Sequence, residues 1–262
     1  MFLDKFSVLI QNSFMQIKIT LFNSKKIILP IHYNHLIQAF IYNIIDEKLA
    51  NFLHDSGFGE GRKFKMFTFS RLYGKSDIKS QPGHIIFYDS ITLTVSSPYG
   101  TFCQSFANGI VKKKIHLGEN ELEVGEAEII AREVKQNEIV VDTLSPIVVY
   151  STLLKPDGSK YTAYFQPGEK EFERLISENL IKKYKAFKGE DFTGEVKIKP
   201  LEQPKLNIVE YKNFIIKGYS GRFKVNGPAK LLQMGVDAGF GSKNSMGFGC
   251  VRVVRGEGVL NE

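Results

Sequence analysis

The chain has 262 residues, 43% of them hydrophobic, which suffices for two modest domains or one large one. Its formal net charge of +7 favours a polyanionic partner, nucleic acid or an anionic membrane surface. No tract approaches the roughly 18 apolar residues of a transmembrane helix. Cys103 and Cys250 lack C-x-x-C spacing and the five histidines fall in no metal-binding pattern, so neither a metal nor another cofactor is expected. The two cysteines read as buried thiols of a cytoplasmic protein.

Residues 1–14 carry Asp4 and Lys5 inside an apolar run and lack a small-residue cleavage site, which argues against a signal peptide. They precede the first strand and read as an N-terminal extension, or as sequence ahead of a start at Met15. Ile17 to Phe22 alternates as a strand does. His32 to His54 has helical periodicity, with Leu36, Phe40, Ile44 and Ile45 on one side. Met66 to Leu72 and Ile85 to Ser96 read as strands, Pro98 opens a helix through Phe102, Phe106 and Ile110, and Glu121 to Val134 reads as a strand. This order, β-α-β-β-α-β, is the ferredoxin-like plan that RNA-binding domains often use.

The second half repeats the order. Thr143 to Tyr150 reads as a strand and Glu169 to Phe187 as a charged amphipathic helix. Gly194 to Lys199 and Leu206 to Phe223 supply strands, Pro228 to Met234 a helix, and Cys250 to Val254 the closing strand. A boundary near Gln136 to Val141 makes the expected fold α+β, with two tandem ferredoxin-like units at 15–138 and 139–262.

Between the last helix and last strand lies Gly235-Val-Asp-Ala-Gly-Phe-Gly-Ser-Lys-Asn-Ser-Met-Gly-Phe-Gly249, with five glycines in the order G-x3-G-x-G-x5-G-x-G. It matches neither a Walker loop, since Ser242-Lys243-Asn244 follows Gly241, nor the dinucleotide fingerprint. Two readings fit: a tight structural turn, or a backbone brought close to RNA by Gly239, Gly241, Gly247 and Gly249, with Lys243 and Asn244 pointing at the ligand.

A tyrosine, a histidine and a lysine, Tyr42, His54 and Lys65, occur in order within 24 positions. Metal-free RNA cleavage needs the 2′-hydroxyl deprotonated, the leaving 5′-oxygen protonated and a cation near phosphorus. His54 suits proton transfer, Lys65 the cation, and Tyr42 the orientation or activation of the hydroxyl. Tyr42 fits equally an amphipathic rim, His54 a helix cap and Lys65 a solvated face. In one straight helix, Tyr42 and His54 would lie roughly 18 Å apart, so a joint site requires a break. Asp46 is the expected N-cap of a second short helix. His32 and His35 are weaker candidates. The basic runs Arg62-Lys63-x-Lys65, Lys112-Lys-Lys114 and Lys182-Lys183-x-Lys185 read as solvated faces or, together, as an RNA track.

These segments together resemble the CRISPR-associated endoribonucleases that cut precursor CRISPR RNA within its repeats, the Cas six family. Tyr33-Asn34-His35 with Ile41-Tyr42-Asn43, Leu53-His54, Lys65-Met-Phe-Thr-Phe-Ser70, Leu144-Ser-Pro-Ile147 and the glycine loop carry the resemblance, over about Met15 to Val254. It implies two ferredoxin-like domains, metal-independent cleavage, and products ending in 2′,3′-cyclic phosphate and 5′-hydroxyl. It also implies a catalytic set of Tyr42, His54 and Lys65, with repeat RNA as partner. The insert Ser56 to Gly61 leaves Lys63 as a rival to Lys65. A non-catalytic repeat-RNA-binding member of the same fold is the alternative. Monomer or homodimer, and residence in an effector complex, stay open at this level; no membrane partner is implied.

Overall fold

The computed structural model describes residues 15–78, 80–212 and 214–254; the expected extension 1–14 lies outside them. The first unit is built on β1 (Met15–Phe22), whose odd-numbered residues Ile17, Ile19 and Leu21 are buried while Lys18 is exposed. After β2 (Ile27–Pro30) come α1 (Asn34–Ile44) and the five-residue helix α2 (Glu47–Asn51), then a π-helical turn at Phe52–Ser56. Next are β3 (Thr68–Phe69), β4 (Ser76–Asp77), β5 (His84–Phe87) and β6 (Ser90–Ser97). Helix α3 (Gly100–Lys112), β7 (Ile115–Leu117) and β8 (Asn120–Ala131) complete the unit. The strand order β3-β6-β1-β8, extended by β7, is the ferredoxin-like order. Ile17 faces Val95 and Ile129 across the ladder, and α1 and α3 cover that face with Ile37, Phe40, Ile41, Phe102, Phe106 and Ile110.

The second unit repeats the plan with β9 (Glu138–Thr143), the hairpin β10 (Tyr150–Leu154) and β11 (Lys160–Tyr164), and α4 (Lys170–Lys188). Then follow β12 (Lys197–Pro200), the hairpin β13 (Lys205–Tyr211) and β14 (Phe214–Ser220), β15 (Arg222–Asn226), α5 (Ala229–Ala238) and β16 (Val251–Val253). The order β12-β15-β9-β16 again has the first strand between the third and fourth. Both hairpins stand outside this sheet.

Several expectations are corrected. The opening strand of the second unit is 138–143, not 143–150. Leu144 to Val149 instead runs between the two hairpins, with Ile147 bridged to Tyr219 and Val148 to Gly241. Ile85 to Ser96 is two strands in different sheets, parted at Asp89, whose φ is 67°. Met66 to Leu72 keeps only two residues of ladder. Leu206 to Phe223 is a hairpin followed by the start of β15. Helix α5 extends through Gly235, which therefore belongs to the helix and not to the loop; a Cβ there would lie 2.3 Å from the Phe240 ring.

The two units share their cores. Phe64, Met66 and Val134, from the first half of the chain, are buried in the second unit's core. Hydrogen bonds cross between the units from Gln16 Nε2 to Val251 O at 2.8 Å and from Thr68 Oγ1 to Phe248 O at 2.9 Å.

Candidate RNA-cleavage site

Helix α1 stops where the joint site requires it to. Ile45 is extended, with φ −71° and ψ 169°, and the Asp46 carboxylate accepts from the amides of Lys48 (3.0 Å) and Leu49 (3.3 Å), capping α2. Lys113, from one of the basic runs, donates to Asn43 O (2.6 Å) and Ile45 O (3.2 Å), so it satisfies carbonyls at the end of α1. The chain then doubles back, and the rings of Tyr42 and His54 meet edge to face with centroids 6.2 Å apart.

The insert after His54 folds as a closed loop. Gly57 N donates to Phe52 O at 2.7 Å, and Phe58 and Phe64 exchange two backbone hydrogen bonds of 2.8 Å. The Phe58 ring plugs the loop between Phe52, Tyr99 and Phe187. The loop therefore returns the next residue, Lys65, beside His54. Phe64 and Met66 point into the second core, and Lys65, between them, points the other way and donates its ammonium to His54 O. Lys63, the rival lysine, donates to Gly59 O at 2.8 Å instead.

The electrostatics differ at each group. Tyr42 packs its ring edge to Phe67 (5.8 Å), at the end of the stacked series Phe67, Phe102 and Phe106. This burial, with a smaller contribution from Tyr211, pushes its hydroxyl up to about 12. Loss of solvent lowers the Lys65 ammonium from its ordinary range, while Asp55 pulls it up and Lys63 pushes it down. His54 is exposed, and its Nδ1 lies 2.7 Å from Asp55 Oδ1. Asp55, which the sequence reading missed, can hold the imidazole in one orientation with Nε2 outward. The signal was the His-Asp dipeptide itself, but adjacency alone does not show that two side chains turn toward each other.

The glycine loop reaches the same helix. Asn34, Gln38 and Tyr42 form a row at i, i+4 spacing along α1. Asn34 Nδ2 donates to Met246 O (2.8 Å) and Gln38 Nε2 to Ser245 O (2.6 Å). Tyr211 donates to the Gln38 amide oxygen, and His35 packs edge-on to Tyr211 at 6.5 Å. His32 accepts from Glu210 N at 3.3 Å, so both histidines tie α1 to the β13–β14 hairpin.

Gly239, Gly241, Gly247 and Gly249 are buried, which corrects the expectation that they line an open RNA surface. All four have positive φ, and protein lies where a Cβ would go: Val148 O at 2.5 Å from Gly241, the Phe69 ring at 2.3 Å from Gly247, Phe240 O at 2.0 Å from Gly249. The Asn244 amide points inward, donating to Phe240 O (3.2 Å) and Phe248 O (3.0 Å). Lys183 is buried too and donates to Gly239 O (2.5 Å) and Gly241 O (3.2 Å), so it braces the loop from α4 and takes no part in a surface track. Lys243 remains partly exposed, 5.0 Å over the Tyr150 ring, and Arg62 lies near it with a 3.3 Å hydrogen bond to Ser242 Oγ. Among the described residues no group of three or more His, Cys, Asp or Glu side chains is arranged to hold a metal ion.

Comparison with known proteins gives the family. Residues 128–253 match the family described as CRISPR associated protein Cas6, C-terminal, and residues 28–135 match CRISPR-associated protein Cas6, N-terminal. A protein of Methanocaldococcus jannaschii named CRISPR-associated endoribonuclease Cas6 1 is 31% identical over 252 residues, 95% of this chain and 96% of its own. The chain belongs to the Cas6 family of CRISPR-associated endoribonucleases. A Pyrococcus furiosus Cas6 endoribonuclease is 29% identical over 86% of this chain and 83% of its own. A solved structure titled CRISPR associated protein Cas6 superposes with a TM-score of 0.75 at 28% identity, covering 92% of this chain and 99% of that one. Another, titled as a protein binding different RNA substrates, shares the fold with a TM-score of 0.78 at 24% identity, over 92% of this chain and all of that one. No helix among the described residues is long and apolar enough to cross a membrane.

Proposed function

We propose that this chain cleaves precursor CRISPR RNA within its repeats, without a metal ion, by attack of a 2′-hydroxyl on the adjacent phosphate. The observation that carries the reading is that a phenol, an imidazole and an ammonium from three separate segments of a basic protein lie together, Tyr42 half-buried and His54 open to solvent. In the reaction the 2′-oxygen bonds to phosphorus as the bond to the 5′-oxygen breaks, leaving a 2′,3′-cyclic phosphate and a 5′-hydroxyl. His54 gives a proton from Nε2 to the leaving 5′-oxygen, with Asp55 holding Nδ1. Lys65 sits beside the phosphoryl oxygens and offsets their growing charge. Tyr42, a neutral phenol at working pH that burial makes still harder to ionise, is a hydrogen-bonding orienter of the 2′-hydroxyl and not a base; the hydroxyl's proton passes to water.

The test is single-turnover cleavage of repeat RNA in EDTA. His54→Ala should slow it by roughly 10²- to 10⁴-fold, the usual worth of a general acid, with RNA affinity nearly unchanged. An equal rate for wild type and His54→Ala would remove the assignment. Binding without cleavage by the wild-type protein would point to a non-catalytic RNA-binding member of the family.

A further inference from the structure

The β13–β14 hairpin turns one face inward, where Val209, Tyr211 and Ile216 pack with Val148 and Phe248. Phe214 pairs with Tyr211 in the ladder, so its side chain leaves the ribbon on that same face. Its exposure is nevertheless 73%, the highest of any large apolar side chain among the described residues. The packed face thus runs out past its own core and ends in an uncovered ring. A single exposed apolar residue is ordinary; the setting of this one is not. The hairpin lies along α1 with its tip toward the cleavage site. Glu210 N bonds to His32 Nδ1 at 3.3 Å, and the next residue, Tyr211, donates to Gln38 and packs on His35. Tyr42 stands one turn beyond Gln38, and Tyr211 is near enough to act on its ionisation.

The tip is rigid and basic. Its turn opens at Lys212, whose φ of 46° is the left-handed value that a tight hairpin turn needs. The Lys212 ammonium lies 5.9 Å over the Tyr211 ring. Residues 205–220 carry Lys205, Lys212 and Lys217 against Glu210 alone. Leu206, Ile208 and Ile215 are exposed as well, but on the ribbon's other face, so a partner docked there does not account for Phe214. An open aromatic face among cations is how proteins hold single-stranded RNA, because every base can stack on it. Tyr42, which orients the 2′-hydroxyl, is the catalytic group that the hairpin approaches, and the nucleotide bearing that hydroxyl lies immediately 5′ to the cut. We infer that Phe214 is a stacking platform for the base of that nucleotide. The inference rests on the proposed cleavage site for its place and on RNA binding for its occupant.

The test uses repeat RNA made with 2′-fluoro sugars, so that no hydroxyl is available for cleavage. The chain contains no tryptophan, so Phe214→Trp introduces a single fluorophore at the platform. It should bind as tightly as wild type, and its emission should fall as RNA is added. Ile208→Trp, on the other face of the hairpin, should keep its emission. Phe214→Ala and Phe214→Leu should each bind about 5- to 150-fold more weakly, the worth of one stacked base. Both should keep the wild-type melting temperature, since the ring is mostly outside the core. An abasic residue 5′ to the cut mapped in EDTA should weaken wild type by the same factor and Phe214→Ala no further. Wild-type affinity in Phe214→Leu, or unquenched Phe214→Trp with RNA bound, would overturn the platform and leave the His54 assignment standing. Additive losses from the abasic residue and Phe214→Ala would overturn its place beside the cut. Unchanged RNA affinity with lost self-association of Phe214→Ala in sedimentation would overturn it in favour of a protein contact. Failure of wild type to bind the RNA would overturn this inference and the proposed function together.

Discussion

Tyr42 and Lys65 are displaced from their ordinary pKa values in opposite directions by the same cause, loss of solvent, and this fixes the sign of a pH experiment. Tyr42 stays a neutral phenol up to about pH 12, so it should contribute no limb to the cleavage profile in the usual working range. Lys65 loses its proton below the ordinary lysine value, so the cation at phosphorus disappears as pH rises through that lowered value. The alkaline limb of the single-turnover rate should therefore survive Tyr42→Phe and move to higher pH in Lys65→Arg. Loss of that limb in Tyr42→Phe would mean that the tyrosine is the group titrating. The glycine loop separates two residue roles that its composition merges. Lys243→Ala should lower the salt slope of RNA binding by about one and leave the melting temperature alone. Gly249→Ala should do the reverse, since a Cβ would lie 2.0 Å from Phe240 O and the residue has φ 76°. Equal melting temperatures for Gly249→Ala and wild type would contradict the packing account.

At the scale of elements, the break between α1 and α2 makes the site possible, and it was legible because its cause is local. An Asp three residues ahead of Leu49 is an N-cap by its own chemistry, and a 12-residue spacing that must close demands a turn. Asp46→Ala should cost about 0.5–2 kcal/mol, lowering the melting temperature by roughly 2–4 °C per kcal/mol for a chain of this size. Cleavage should slow by more than the small loss of folded protein explains, because His54 would be less firmly held against Tyr42. An unchanged rate in a measurably destabilised Asp46→Ala would mean that the cap supports only the fold. The insert at 56–61 was not legible in this way. Its spacing left Lys63 and Lys65 as rivals, and the choice depends on Phe58 packing against Tyr99 and Phe187, residues about 40 and 130 positions further on. The extended stretch 85–96 misled for a related reason. Residues of high β propensity stand on both sides of Asp89-Ser90, but Asp89 turns the chain, so the two ends serve different sheets.

Across the whole molecule, the two ferredoxin-like units are not separable bodies. Phe64 and Met66 fill the second core, Gln16 and Thr68 bond to the last strand and its approach, and the glycine loop is hydrogen-bonded to α1. Heating should accordingly give one cooperative unfolding transition; two well-separated calorimetric peaks would show that the shared packing is weak. The sequence by itself determined the β-α-β-β-α-β plan of the two halves, though not the second half's opening strand or its two hairpins, the helix break at Asp46 and the chemical types available at Tyr42, His54 and Lys65. These depend on side-chain chemistry and on periodicities within a few turns of chain. Only the tertiary structure decided which lysine stands beside His54, that Asp55 faces the imidazole, and that the loop's glycines and Lys183 are interior. Periodicity reports that a face is buried but not what covers it, and the covering groups here lie far along the chain: Met246, bonded to Asn34, is 212 residues away and Val251, bonded to Gln16, is 235.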